Sequence, residues 1–171
     1  MQRKFASLSA QEALGIAISI EERNAEIYHR FAEMFTEFGD QESLEIASVF
    51  WEMAIEERGH HALLQRKYWE QYGSSSHPYT EENLVELIEV PRLSLAEVFA
   101  ADKILPARQR ALQVALQAEI SAQHYYSNLV EQTPDSPLRR TYHDLAQMED
   151  GHIAFLEAKL EDDNAEKPVV Q

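Results

Sequence analysis

The sequence predicts an all-α protein: a four-helix bundle with one long crossover between helices 2 and 3 and an internal pseudo-two-fold. Three observations carry that expectation. Apolar residues recur at helical spacing over long segments, and five glycines in 171 residues do little to interrupt them. The breaks between helical segments are two short turns and one long stretch over residues 73–105. The two halves of the chain also resemble each other, as shown below.

Each element has a start signal. Ser9, with Glu12 three residues on, is a capping-box pattern for a first helix running to about Phe35. Gly39 and Asp40 form a short turn, with Asp40 as N-cap of a second helix reaching about Tyr72. GSSSHPYTEEN is turn-like, and short helical pieces are expected after Thr80 and after Ser94, the latter with Glu97 as capping partner. Pro106 is read as opening the third helix, where a missing N–H is tolerated, and that helix continues to about Gln132. TPDSP is a turn in which Ser136 caps and Pro137 begins the fourth helix, expected to end near Glu161. This gives one domain over residues 1–161, with helical hairpins 9–72 and 106–161, a crossover 73–105 and a polar tail 162–171. The short links make helices 1 and 2, and 3 and 4, antiparallel neighbours, while the long link lets helices 2 and 3 run parallel.

Composition narrows the chemistry. A formal charge of −15 argues against a nucleic-acid surface and against docking on anionic lipid, and favours metal cations nearby. The absence of cysteine removes disulfides, thiolate nucleophiles, iron–sulfur ligation and a rubredoxin-type iron site. No apolar run approaches ~18–20 residues and MQRKFASLSAQ has no signal-peptide apolar core, so no membrane and a cytoplasmic location are expected.

The repeat points to the site. At an offset of 92 residues, MAIEERGHHALL from Met53 aligns with LAQMEDGHIAFL from Leu145, so that Glu57 meets Glu149 and His60 meets His152. At an offset of 98, ALGIAISIEERNAEIYHRF from Ala13 aligns with ALQVALQAEISAQHYYSNL from Ala111, and Glu21 meets Glu119 as Tyr28 meets Tyr126. A Glu and a His three apart share a helix face. Glu21 lies within the stripe Leu14, Ala17, Ile18, Ala25, Tyr28 and Phe35, and the other three glutamates lie in equivalent stripes. Four inward carboxylates repel one another and pay for desolvation, whereas two divalent cations balance them and the imidazoles complete coordination. The expected metal ligands are therefore Glu21, Glu57, His60, Glu119, Glu149 and His152. A metal-free polar network is the alternative, which duplication disfavours. Carboxylate with imidazole suits iron, with manganese, mixed iron and manganese, or zinc as alternatives. Tyr28 and Tyr126 are read either as core aromatics or as hydroxyls bonded to metal-bound carboxylates. His61, His124, His29, His77 and His143 are assigned no ligand role, and Glu22, Glu26, Glu56 and Glu131 are read as solvated.

These residues resemble the ligand pattern of the ferritin-like di-iron carboxylate superfamily. The ALxxAIxxEExxAxxYxxFAE and MAxEExxHxxLL flavour is similar to rubrerythrins, more narrowly to erythrins and symerythrin, and to the N-terminal domain of membrane-bound ferritins. The resemblance covers residues 8–161. It implies Glu21 and Glu119 as terminal carboxylates, His60 and His152 as one ligand to each metal, and Glu57 and Glu149 as bridges. It also implies two iron ions that react with hydrogen peroxide or dioxygen. Classical rubrerythrins place a further Glu where this chain has Ala122, and they carry a rubredoxin domain that this sequence lacks. Reduction must then come from an external electron donor. The expected function is a soluble di-iron redox protein, a peroxidase or oxidase, acting as a homodimer. A ferroxidase or iron-storage protein and a non-redox metal-binding bundle are the alternatives.

Overall fold

The computed structural model of the chain describes residues 8–73, 104–134 and 136–165. Its described residues form four long helices, α1 (Ala10–Phe38), α2 (Gln41–Tyr72), α3 (Ile104–Gln132) and α4 (Pro137–Ala165). The crossover and the two short helical pieces expected within it lie outside the described residues, as does the end of the polar tail.

Local chemistry sets the helix starts. Ser9 accepts from the Glu12 amide while Glu12 bonds back to the Ser9 backbone, the reciprocal box read from the sequence. Asp40 accepts from the Ser43 amide at 3.0 Å and starts α2. The ends differ from expectation. α1 continues to Phe38, because nothing breaks it until Gly39 takes the left-handed φ of 72°. Gly73 at φ 65° closes α2 in the same way, its N–H bonded to the Trp69 carbonyl. α3 begins at Ile104, two residues before Pro106. Pro106 still falls in the first turn, where backbone N–H groups have no helical acceptor. α4 runs to Ala165, past Glu161; DDNA contains no Gly or Pro to stop it.

Contacts across the bundle fix its topology. Gln11 meets Tyr68 and Tyr28 meets Phe50, so α1 and α2 are antiparallel. Tyr28 meets Glu119 while Tyr125 reaches the Ala13 carbonyl, so α1 and α3 are antiparallel as well. Two helices antiparallel to the same helix are parallel to each other. The end of α2 and the start of α3 therefore lie at opposite ends of the bundle, about 48 Å apart for a helix of 32 residues. Tyr126 against Tyr142 and Glu119 against His152 make α3 and α4 an antiparallel hairpin. None of the described helices is long and apolar enough to cross a membrane.

The core is divided. One apolar cluster gathers Leu14, Ile18, Leu64, Tyr126, Tyr142 and Leu145; the other gathers Tyr28, Phe31, Phe35, Phe50, Leu112 and Leu156. On every helix the junction between the two clusters falls at one buried glutamate: Glu21, Glu57, Glu119 and Glu149. A polar layer thus lies sealed between two oily ones. Replacing Phe50, fully buried against Tyr28, Phe31 and Phe35, by Ala should cost about 3–5 kcal/mol in urea unfolding of the metal-free protein. Ile55→Ala, at a position 62% exposed, should change it by less than about 0.5 kcal/mol. Equal effects of the two would mean that the core has been misplaced.

Candidate metal centre

Each helix contributes one carboxylate at its mid-length, and all four are fully buried. The six residues read from the repeat come together as two overlapping groups. Glu21, Glu57, His60 and Glu149 form one, and Glu57, Glu119, Glu149 and His152 form the other, the ligating atoms of each lying within 4.8 Å of one another. Glu57 and Glu149 are common to both. His60 Nδ1 lies 3.3 Å from Glu21 Oε2, 3.8 Å from Glu57 Oε2 and 3.9 Å from Glu149 Oε1. His152 Nδ1 lies 3.5 Å from Glu57 Oε1, 3.7 Å from Glu119 Oε2 and 3.3 Å from Glu149 Oε2. The imidazole centroids are 6.4 Å apart.

Two tyrosines tie the halves together reciprocally. Tyr28 of α1 donates to Glu119 Oε1 at 2.5 Å, and Tyr126 of α3 donates to Glu21 Oε1. Both rings are fully buried in the apolar clusters, as core aromatics, and both hydroxyls bond to carboxylates. Burial, then the nearby carboxylate charge, holds both phenols well above their usual pKa, so they remain neutral donors.

One oxygen of Glu21 and one of Glu119 are thus satisfied, and the atoms facing the other carboxylates are not. Glu21 Oε2, both Glu57 oxygens, Glu119 Oε2, Glu149 Oε1 and His60 Nδ1 are buried with no hydrogen-bond partner among the described residues. Acceptors left facing one another in an apolar shell are costly, and cations are what would satisfy them. Oxygen and imidazole donors in this number fit two divalent transition metals.

Without metal, protons must serve. Burial, then repulsion from the neighbouring carboxylates, raises Glu57 well above the usual carboxylate range. Burial likewise raises Glu149, with Glu119 and Glu21 adding to it against the opposing bond from His152. Burial opposes ionisation of Glu119 too, but the neighbouring His152 and Glu149 and the Tyr28 hydroxyl outweigh it and lower its pKa. Burial disfavours charge on His152, yet the adjacent carboxylates of Glu119, Glu149 and Glu56 push its pKa up to about 11.

Glu56 was read from the sequence as solvated, and its side chain is 60% exposed, yet it also reaches from α2 to α4 and bonds His152 Nε2 at 2.7 Å, a contact the sequence did not indicate. That contact takes up the outer ring N–H and turns Nδ1 toward the carboxylates. Its signal was hidden, because the residue at the matching position of the other half is Met148 and the repeat therefore gives no echo. The remaining histidines stay outside the cluster: His29 stacks edge-on with Trp51 at 4.6 Å, and His124 and His143 are exposed. His77 lies outside the described residues.

A family model described as Rubrerythrin matches residues 12–98. A hypothetical protein from Pyrococcus furiosus shares the fold with a TM-score of 0.72 and 28% identity, over 92% of each chain. An uncharacterized conserved protein from Magnetospirillum magnetotacticum does so with a TM-score of 0.70 and 21% identity, over 96% of this chain and all of that one. No curated protein matches the sequence.

Two predictions follow from the electrostatics. Glu57 and Glu149 bind protons more tightly folded than unfolded, as does His152. The stability they contribute to the metal-free protein is therefore full below the unfolded carboxylate range and is lost as pH rises through the folded values. Thermal unfolding of metal-free protein should show a lower Tm at about pH 8 than at about pH 5, and Glu57→Gln should reduce that slope while stabilising by on the order of 1 kcal/mol. A Tm that rises with pH would contradict the protonated cluster. Glu56→Ala should weaken metal binding about 10–100-fold in chelator competition while leaving helical content unchanged; unchanged affinity would show that the His152 contact is incidental.

Proposed function

The chain belongs to the rubrerythrin family, and from that premise we propose that it is a di-iron carboxylate redox protein acting on hydrogen peroxide or dioxygen. The observation that supports this most is the pair of four-residue groups sharing Glu57 and Glu149. In this reading Glu21 and His60 would hold one iron and Glu119 and His152 the other, with Glu57 and Glu149 within reach of both. Bound ferrous iron would supply two electrons to the oxidant.

The chain's own residues prepare that chemistry. Tyr28 and Tyr126 fix the outer carboxylate oxygens and hold their protons at the phenolic oxygens, beside the groups whose charge changes on oxidation. Glu56 sets the tautomer of His152. The two apolar clusters on either side keep bulk water from the polar layer, which strengthens every interaction within it. Glu57 and Glu149 must give up their protons to bind metal, so loading releases protons and tightens as pH rises.

The test uses full-length protein loaded anaerobically. It should retain two iron ions per chain, and stopped-flow mixing with peroxide or oxygen should oxidise them at least about tenfold faster than free ferrous ion. Retention of zinc alone, or oxidation no faster than free iron, would sink the proposal. The strongly acidic composition favours a second reading, a ferroxidase whose substrate is iron itself. Turnover of many ferrous ions per chain, with a closed shell of subunits in light scattering, would select it. A small oligomer that oxidises two ions and stops would select the redox reading.

A further inference from the structure

The two imidazoles hold equivalent places in the repeat but differ on their outer sides. Each turns Nδ1 toward carboxylates: His60 toward Glu21, Glu57 and Glu149, and His152 toward Glu57, Glu119 and Glu149. The terminal carboxylates are matched as well, since Tyr28 holds Glu119 and Tyr126 holds Glu21. Behind the rings the match ends. His152 Nε2 lies 2.7 Å from Glu56 Oε2, which reaches across from α2. His60 makes no hydrogen bond through Nε2 to any described residue. The repeat accounts for the difference: Glu56 stands four residues before His60, and the residue four before His152 is Met148. The pseudo-two-fold that carries Glu56 to His152 carries Met148, 50% exposed, toward His60. A thioether is a weak acceptor and brings no charge.

An imidazole that binds a metal through Nδ1 keeps its proton on Nε2. A carboxylate that accepts this proton fixes the ring and makes Nδ1 a better donor to the metal; losing such a partner typically costs about 10–100-fold in metal affinity. We propose that Glu56 makes the two metal positions unequal, so that the one at Glu119 and His152 fills first and holds its ion, while the one at Glu21 and His60 fills second and exchanges. The proposal rests on the di-iron reading and gives its two ions an order. Glu56 is here a positioning residue, acting through His152. Because Glu57 and Glu149 belong to both groups, the second ion meets carboxylates already engaged and a like charge beside them. Unequal stepwise affinities would therefore arise even in a symmetric centre. What distinguishes the proposal is which position fills first.

Full-length protein, half-loaded with ferrous iron and crystallised anaerobically, should give an anomalous peak beside His152 about tenfold stronger than the one beside His60. At saturating iron both positions should fill. Glu56→Met gives the two imidazoles the same outer neighbour and should bring the half-loaded peaks close to equal. The double variant Glu56→Met/Met148→Glu should move the stronger peak to His60. Both side chains are exposed, so neither change disturbs the core. Asn24, buried opposite Ala122, is another difference between the halves, and the double variant leaves it in place. In solution, excess chelator should strip saturated wild-type protein in two phases, and Glu56→Met should speed the slow phase about tenfold. Equal peaks in half-loaded wild type, a stronger peak that stays beside His152 in the double variant, or an unchanged slow phase would overturn the proposal while leaving the di-iron reading intact. No peak at either position at saturating iron would overturn that reading and the proposal with it.

Discussion

Mutual repulsion among four carboxylates sealed in an apolar bundle is the constraint on which the rest depends. Two unit charges 4 Å apart interact by about 4 kcal/mol at an effective dielectric of 20, and desolvation adds several kcal/mol per ion. A protein selected for stability alone would fill this layer with leucine. The chain instead places Glu21, Glu57, Glu119 and Glu149 at the junction of two apolar clusters and leaves their inner oxygens without partners. Such an arrangement stores electrostatic free energy that only protons or cations can release.

The pseudo-two-fold makes the arrangement economical, since one hairpin used twice supplies matched carboxylates and imidazoles. Tyr28 and Tyr126 show the symmetry at its strictest, each reaching across to the other half's terminal carboxylate. The departures from symmetry are the informative part. Glu56 stands opposite Met148 in the repeat, so only His152 gains an exposed carboxylate at its outer nitrogen. Phe50 stands opposite Tyr142, so the ring stacked on Tyr28 is a phenylalanine and the ring stacked on Tyr126 is a tyrosine. Asn24 stands opposite Ala122, and both are buried. Two similar groups of buried carboxylates and imidazoles are thereby given two unlike surroundings.

The gathering of four glutamates and two histidines was legible in the sequence because duplication lifts Glu-x-x-His above the background of a glutamate-rich chain, and because each Glu interrupts an otherwise apolar stripe. Helix starts at Ser9, Asp40 and Ser136 were legible through side chains that cap the next turn's amides. Helix ends were less so: α1 and α4 run past their expected stops because polar residues do not terminate a helix without a glycine or proline. The role of Glu56 was not legible at all. It depends on how closely α2 and α4 approach, a tertiary distance that no local pattern encodes. The reciprocal tyrosine bonds sit between these cases: the repeat singled out both rings, and only packing showed which carboxylate each one reaches.

The most direct test of the central claim is anomalous diffraction at the iron edge from crystals grown anaerobically with ferrous iron. The account predicts two peaks of comparable height on the line between His60 and His152, each beside both Glu57 and Glu149. A gathered cluster with no peak, or with one peak that leaves Glu21 or Glu119 unengaged, would contradict it.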